Sequence, residues 1–267
     1  MVQFSFYDMK YIGERKFVGL ENYIDVFTRD DCFNALKLSL YYMVGSVVQL
    51  ALALLFATIL SFNPKGGSFF RGALYFPSLV CGIAVGFIFK YFYTHGFVLD
   101  SILGLLGIPE DMLPFWLKDT RINNWVLVAS SIWRYMGQNM VLFIGAIASV
   151  DKTQYEAAAI DGANAWHRFR YIILPSIRTI VVLNMILAIS GSLSVFEIPY
   201  VITDGGFGTS TYFVLMDKLA HANQKVGLAS AMAVVLLVLI LVVSGIQKLA
   251  EKKMNSGVRV GKRRARK

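Results

Sequence analysis

Glu197 lies within Ile177 to Thr203, a stretch otherwise apolar enough to cross a bilayer except for Arg178 near its start. Insertion scales put charged residues of comparable kind at about 2.5–3.5 kcal/mol when they sit at the bilayer centre, so this carboxylate is expected to face protein or water. In a continuous helix Ser190, Ser194 and Glu197 occupy positions i, i+4 and i+7 and share one face. Such a stripe can hydrogen-bond a hydroxyl-rich solute, or it can hold neighbouring helices together. Arg134 and Gln138 share a face of another apolar stretch, where Arg134 either pairs with Glu197 or snorkels to the outer interface. Phe196 and Tyr200 flank Glu197, and aromatic faces beside hydrogen-bonding groups suit sugars, although aromatics near a span end also form interfacial belts.

Other chemistries find little support. "PKGGSFFRG" at 64–72 is glycine-rich but lacks the Lys followed by Ser or Thr that a phosphate-binding loop requires. No serine sits in a nucleophile elbow. His95, His167 and His221 fall in separate loops, so no metal constellation is expected, and the two cysteines, Cys32 and Cys81, suggest no disulfide framework. An enzyme with its own catalytic centre, bound cofactor or metal is not expected.

The elements that would position these residues are membrane spans. Hydrophobic residues make up 56% of the 267 residues and charged ones only 16%, with a mean hydropathy of +0.57, against about 25% charged in soluble domains. Leu38 to Phe62 and Val226 to Gln247 carry no charge at all, and each reaches the roughly 20 residues that a helix needs to cross the hydrocarbon. Gly72 to Thr94, interrupted by Lys90, Trp125 to Val150, interrupted by Arg134, and Ile177 to Thr203 complete five expected spans in an all-α integral membrane protein.

The net charge of +9 is concentrated in loops and in the last twenty residues, as a cytoplasmic tail at 251–267 would have it, and nucleic acid is not an expected partner. Lys152, Arg168 and Arg170 between the third and fourth spans, with Lys65 and Arg71 between the first and second, place those loops inside by the same rule. Residues 1–35 then fall outside with nothing in the chain to carry them across, which leads us to expect a sixth span upstream. The resulting division is an outer segment at 1–35, a transmembrane domain at 36–250 and the basic tail.

One cytoplasmic stretch, "EAAAIDGANAWHRFRYIILP" at 156–175, is not a plain connector. Thr153 and Glu156 form a T-x-x-E pair, which predicts a capping box at a helix start. Three alanines follow, strong helix formers small enough to let a partner approach closely. Gly162 suits a left-handed helix stop, Asn164 suits the cap of a second short helix, and Pro175 suits the first turn of the fourth span. The expected product is a pair of short helices at 151–175, either a connecting hairpin or a docking element.

Glu156, Ala157, Ala158, Gly162, Ile172, Leu174 and Pro175, in that spacing, resemble the EAA loop of binding-protein-dependent ABC transporter permeases. "FVGLENY" at 17–23, "FFRGALYFPSLV" at 69–80, "SIWRYMGQNMVLFIGAIASV" at 131–150 and "FEIPYVITDGGFGTST" at 196–211 are similar to the carbohydrate-uptake branch, the multiple-sugar and maltose-type permeases. "TDGGFGTST" departs from that pattern by lacking a Pro after its glycines, which bears on substrate rather than on coupling.

The resemblance implies that the 151–175 loop, with Asp161 among its contacts, inserts into a groove on a separate ATPase that carries the ATP and Mg. It further implies an ATPase dimer, a second homologous permease, an extracytoplasmic solute-binding protein and a sugar, for which the polar and aromatic residues Gln138, Ser190, Ser194, Glu197 and Tyr200 described above are the candidate path. The alternatives are an ion-coupled secondary transporter, a membrane scaffold that docks some non-ATPase partner, and a permease for a non-sugar solute such as glycerol phosphate.

Overall fold

A computed structural model describes residues 1–62 and 64–264, with side chains described up to residue 250. The basic tail at 251–267 therefore lies outside the residues whose side chains are described. The chain begins with a small antiparallel hairpin, β1 (Tyr7–Met9) and β2 (Arg15–Phe17), which amends the all-α expectation. Twelve helices follow among the described residues: α1 (Glu21–Thr28), α2 (Asp30–Ser61), α3 (Gly67–Leu79), α4 (Gly82–Tyr93), α5 (Val98–Leu105), α6 (Asn123–Ala148), α7 (Lys152–Ile160), α8 (Ala165–Arg168), α9 (Leu174–Ser192), α10 (Glu197–Thr203), α11 (Tyr212–Asp217) and α12 (Val226–Arg264). Single π turns at Phe169–Ile173 and Lys218–Ala222 join α8 to α9 and follow α11.

Three helical runs are long and apolar enough to cross a membrane, Asp30–Ser61, Ala165–Thr203 and Val226–Ala250, and a fourth qualifies if α3 and α4 are taken together. At 26 residues α6 is long enough, roughly 39 Å at 1.5 Å per residue, but Arg134, Gln138 and Asn139 make it less apolar than the others. Its position explains how it carries them. It packs along α2 in the largest helix pair of the fold and also meets α3, α9 and α10.

Two expected spans prove to be broken. Gly72 to Thr94 bends by 100° between α3 and α4, with Val80 and Cys81 extended at the joint. Ile177 to Thr203 stops at Ser192 and restarts at Glu197. Backbone groups freed by a break inside a membrane must find partners within the protein. Here the Ser194 N–H donates to the Gly191 carbonyl at 3.0 Å, and the Thr211 hydroxyl donates to the Val195 carbonyl at 2.7 Å.

Small residues set the close approaches. Ala53 and Ala57 of α2 are fully buried against Met140 and Phe143 of α6, as expected where packing rather than hydrophobic segregation joins helices. Gly137 of α6 lies against the backbone of α3, where a β-carbon would overlap the Leu74 carbonyl. Gly227 of α12 meets the Tyr7 carbonyl of the hairpin, and Asn22 secures that hairpin by donating to the Ser5 and Tyr7 carbonyls at 2.9 and 3.0 Å. The small face of the last span, Gly227 and Ala231, thus receives the N-terminal segment. Leu40, Val44, Leu55 and Ile59 of α2 point outward and exposed, the surface a lipid-facing helix presents.

Candidate functional site

The two breaks converge on one ion pair. Arg134 Nη1 of α6 donates to Glu197 Oε2 at the start of α10, and Gly82 at the start of α4 packs so closely that a β-carbon there would overlap both groups. Gly86, one turn on, meets Val201 of α10 in the same way. The Arg134 side chain is 12% exposed and that of Glu197 is 45% exposed, so the guanidinium is enclosed and the carboxylate is half open. Replacing one partner of an enclosed pair strands the other. Glu197→Ala is expected to destabilise by about 1–2 kcal/mol, less than the roughly 3–5 typical of fully buried pairs because Glu197 is partly solvated. Adding Arg134→Met should recover most of the loss, which thermal unfolding of both purified variants would measure. A double variant no more stable than the single would rule out the stranded guanidinium as its cause.

Glu197 also opens onto a cavity of about 600 Å³ between α2, α6, α9 and the 193–196 break, within the size range of small-ligand sites. Gln138, Ser194 and Glu197 line it, as does Phe196, but Ser190 and Tyr200 do not. The break is the reason, since without a continuous helix the three-residue stripe does not exist. Ser190 instead meets the Ser244 hydroxyl of α12 at 3.1 Å. Tyr200 stacks on Phe196 with ring centroids 4.7 Å apart.

Several lining residues escaped the sequence reading: Gln49 and Ser46 of α2, Asn139 of α6 and Asn184 of α9. Their signal was an amide or hydroxyl in the middle of an apolar run, masked by a search for charges. Beyond the break, Asn123 and Asn124 at the head of α6 donate to the Phe207 and Gly208 carbonyls at 2.7 and 3.2 Å and fasten the glycine-rich 204–211 loop over α6.

The second site is the 151–175 turn. Helix α7 begins two residues earlier than the capping box predicts. Asp151 is the N-cap, accepting from the Thr153 N–H at 3.0 Å, so Thr153 is capped rather than capping. That N–H holds the Asp151 carboxyl below its ordinary pKa, and an anionic acceptor at a helix start is favoured over a neutral hydroxyl.

The stop is as expected. Gly162 is left-handed at φ +73, and the Ala163 N–H reaches the Ala158 carbonyl at 2.8 Å while the Gly162 N–H reaches that of Ala159 at 3.2 Å, the paired bonds of a Schellman motif. Asn164 caps α8 through the His167 N–H at 2.9 Å, and Pro175 lies in the first turn of α9.

The residues of this turn divide into two groups. Glu156, Ala157, Asp161 and Gly162 are exposed and Ala158 is half-buried. Ile172 packs into the α2–α6–α9 core beside the fully buried Ile173, with Leu174 half-buried and Pro175 exposed after it. Tyr155 ties α7 to the end of α2 through an edge-on contact with Phe62 at 6.0 Å. The free face carries apolar side chains in the open: Ile160 is 87% exposed and Trp166 is 65% exposed. From Ala165 a helical run with one π turn continues through α9 to Asn184 and Gly191 on the cavity wall. Among the described residues no three His, Cys, Asp or Glu side chains converge as metal ligands would.

Comparison with known proteins bears on both sites. The chain is 32% identical over 242 residues to the arabinooligosaccharides transport system permease protein AraP of Bacillus subtilis (strain 168), covering 87% of this chain and 75% of that protein. It is 31% identical over 244 residues to the osmoprotective compounds uptake permease protein GgtC of Synechocystis sp., covering 90% and 86%. Its fold matches that of a bacterial alginate ABC transporter, solved in complex with an alginate pentasaccharide-bound periplasmic protein, with a TM-score of 0.81 at 19% identity over 88% of this chain and 83% of the other. Residues 49–256 match the family described as binding-protein-dependent transport system inner membrane component, and the chain belongs to that family of ABC transporter permeases.

Proposed function

We propose that this chain is one membrane subunit of an ATP-driven importer and that it passes a hydroxyl-rich solute, a sugar or oligosaccharide, through the cavity beside Glu197. The observation that carries the reading is the 151–175 turn. Its backbone is fully capped, its rear is anchored in the core, and its front offers exposed apolar side chains, with a helix leading back to the cavity wall. A rigid knob of this kind is suited to seat in a separate ATPase and to pass its movement to α9. The same orientation puts five spans across the membrane, α3 and α4 together forming one of them, with the basic tail and the 151–175 turn in the cytoplasm. A second permease of the same family would complete the path, and an external binding protein would deliver solute. The relative named for arabinooligosaccharides supports a polyhydroxylated solute.

The test is solute uptake into vesicles with ATP supplied inside, alongside recovery of the ATPase with the purified permease. Ile160→Asp places a charge on the exposed front without touching the caps. It is expected to reduce ATPase recovery at least about tenfold, the equivalent of about 1.4 kcal/mol, with membrane insertion unchanged. Undiminished recovery and uptake would make the turn a connector.

A further inference from the structure

We propose that the cavity selects uncharged, hydroxyl-rich glycans and rejects anionic ones such as uronates and sugar phosphates, with Glu197 as the specificity-determining residue; this rests on the solute reading above. Several lining donors are spent on the chain's own backbone. The Asn184 side-chain NH2 donates to the Ile180 carbonyl at 2.8 Å and that of Asn139 to the Tyr135 carbonyl at 3.3 Å. Only the NH2 of an amide can donate to a carbonyl, so these bonds also fix the amide orientation and leave each Oδ1 and one N–H for other partners.

Three of the four lining serines behave likewise. Ser46 donates to Met43 at 2.8 Å, Ser131 to Leu127 at 3.3 Å and Ser192 to Ile189 at 2.6 Å, all backbone carbonyls of their own helices. Each hydroxyl proton is thereby occupied while its oxygen lone pairs stay available. Other lining groups, the Tyr42, Tyr135 and Ser194 hydroxyls and the Gln49 and Gln138 amides, keep their donors free, so the wall can hydrogen-bond in both senses and its fixed charge decides what it accepts.

The fixed charge on the wall is one-sided. Glu197 is the only charged side chain among the lining residues, and Arg134, its partner, is not among them. The guanidinium sits behind the carboxylate, so a solute in the cavity meets the negative end of the pair. The C-terminal turn of α9, at Gly191 and Ser192 on the same wall, adds the negative end of a helix dipole. A sugar hydroxyl can donate to the Glu197 carboxylate and accept from the neighbouring free amides and hydroxyls, whereas a carboxylate or phosphate brought beside Glu197 is repelled by its like charge. The alginate importer shares this fold, so the backbone architecture does not dictate solute charge. The side chains on the wall must set it.

The test reads the charge of the cavity without depending on the binding protein's own selectivity. In the assembled permease–ATPase complex in lipid nanodiscs, Cys81→Ser removes the exposed native thiol, Cys32 being buried, and Ser194→Cys supplies a probe on the wall. The thiol is labelled with cationic and anionic methanethiosulfonates, with Leu106→Cys in an exposed outer loop as control. The cationic-to-anionic rate ratio at position 194 is expected to exceed the control ratio about tenfold, within the range by which lined clefts concentrate counter-ions. It should fall toward the control in Glu197→Gln and persist in Glu197→Asp.

Malto-, xylo- and arabinotriose should slow the labelling, and trigalacturonate at the same concentration should not. A wild-type ratio equal to the control, which requires no variant at 197 to fold, overturns the proposal, as does equal protection by neutral and acidic glycans. An intact ratio with no protection by either class overturns the glycan reading beneath it instead.

Discussion

Gly162→Val is expected to abolish ATP-driven uptake while leaving a permease that inserts, is recovered from the membrane in normal amount and has lost most of its ATPase. Gly162 is left-handed at φ +73, a conformation that costs an L-residue about 1–2 kcal/mol, and a β-branched side chain fits it worst. There is open space where the new side chain would begin, so the substitution meets no clash within the subunit. The strain is relieved locally by opening the Schellman bonds to Ala158 and Ala159, and this swings Asn164 and α8 away from α7. The spans do not depend on that geometry. Ile173 and Ile177 are anchored in the core independently of it. Gly162→Ala should show a milder form of the same loss, and Glu156→Lys should act in the same direction by reversing a charge on the exposed face of α7. The measurement is ATPase co-purification beside uptake, and normal values for Gly162→Val in both would refute the docking role.

The other large effect is expected inside the bilayer, with the opposite signature. Gly137→Val should remove the protein itself. A β-carbon at Gly137 overlaps the Leu74 carbonyl and approaches the Tyr75 backbone, and backbone cannot swing aside as a side chain would. Relief requires α3 to move off α6, at a cost on the order of 3 kcal/mol or more. Because α3 leads into the bend that sets Gly82 against the ion pair, the displacement should also disorganise the cavity mouth. Gly145, eight residues further along the same helix, has nothing within 4 Å of such a carbon, and Gly145→Val serves as the matched control. Membrane-fraction abundance and detergent thermal stability of the two variants distinguish steric exclusion at one contact from a general intolerance of α6 to branched residues. Equal behaviour of the two would refute the close approach of α3.

How far the sequence disclosed this architecture depended on whether a signal was local. Gly162, Asn164 and Pro175 act on their immediate neighbours, and each does what its chemistry suggests. The capping box failed for a local reason as well, because Asp151 starts the helix two residues earlier and the Tyr155 and Glu156 N–H groups that Thr153 would have capped then lie inside it. The breaks carry only ambiguous signals, Pro77 and Gly82 beside one and Gly191 and Pro199 beside the other, because membrane helices also accept glycine and proline. Phe196 and Val195 are as apolar as their helical neighbours, and nothing in the run from Ile177 to Thr203 discloses that Thr211, sixteen residues away, completes the hydrogen bonding of an interrupted backbone. The stripe of Ser190, Ser194 and Glu197 fell with the helix it presupposed. Arg134 was open to two readings, and only the packing of α6 against α10 decided for the pair with Glu197.

The π turn at Phe169–Ile173 has a consequence for how such a gene can change. A π turn holds about one residue more than an α turn, and this one lies between the exposed turn at Gly162 and the cavity wall. Loss of one codon within it can be absorbed by tightening to ordinary α-helix, leaving both ends facing as before. The same loss at Val181 would rotate every following side chain of α9 by about 100° and turn Asn184 off the wall. The lineage therefore has a short interval in which insertions and deletions are tolerated between two surfaces that must keep their relative orientation.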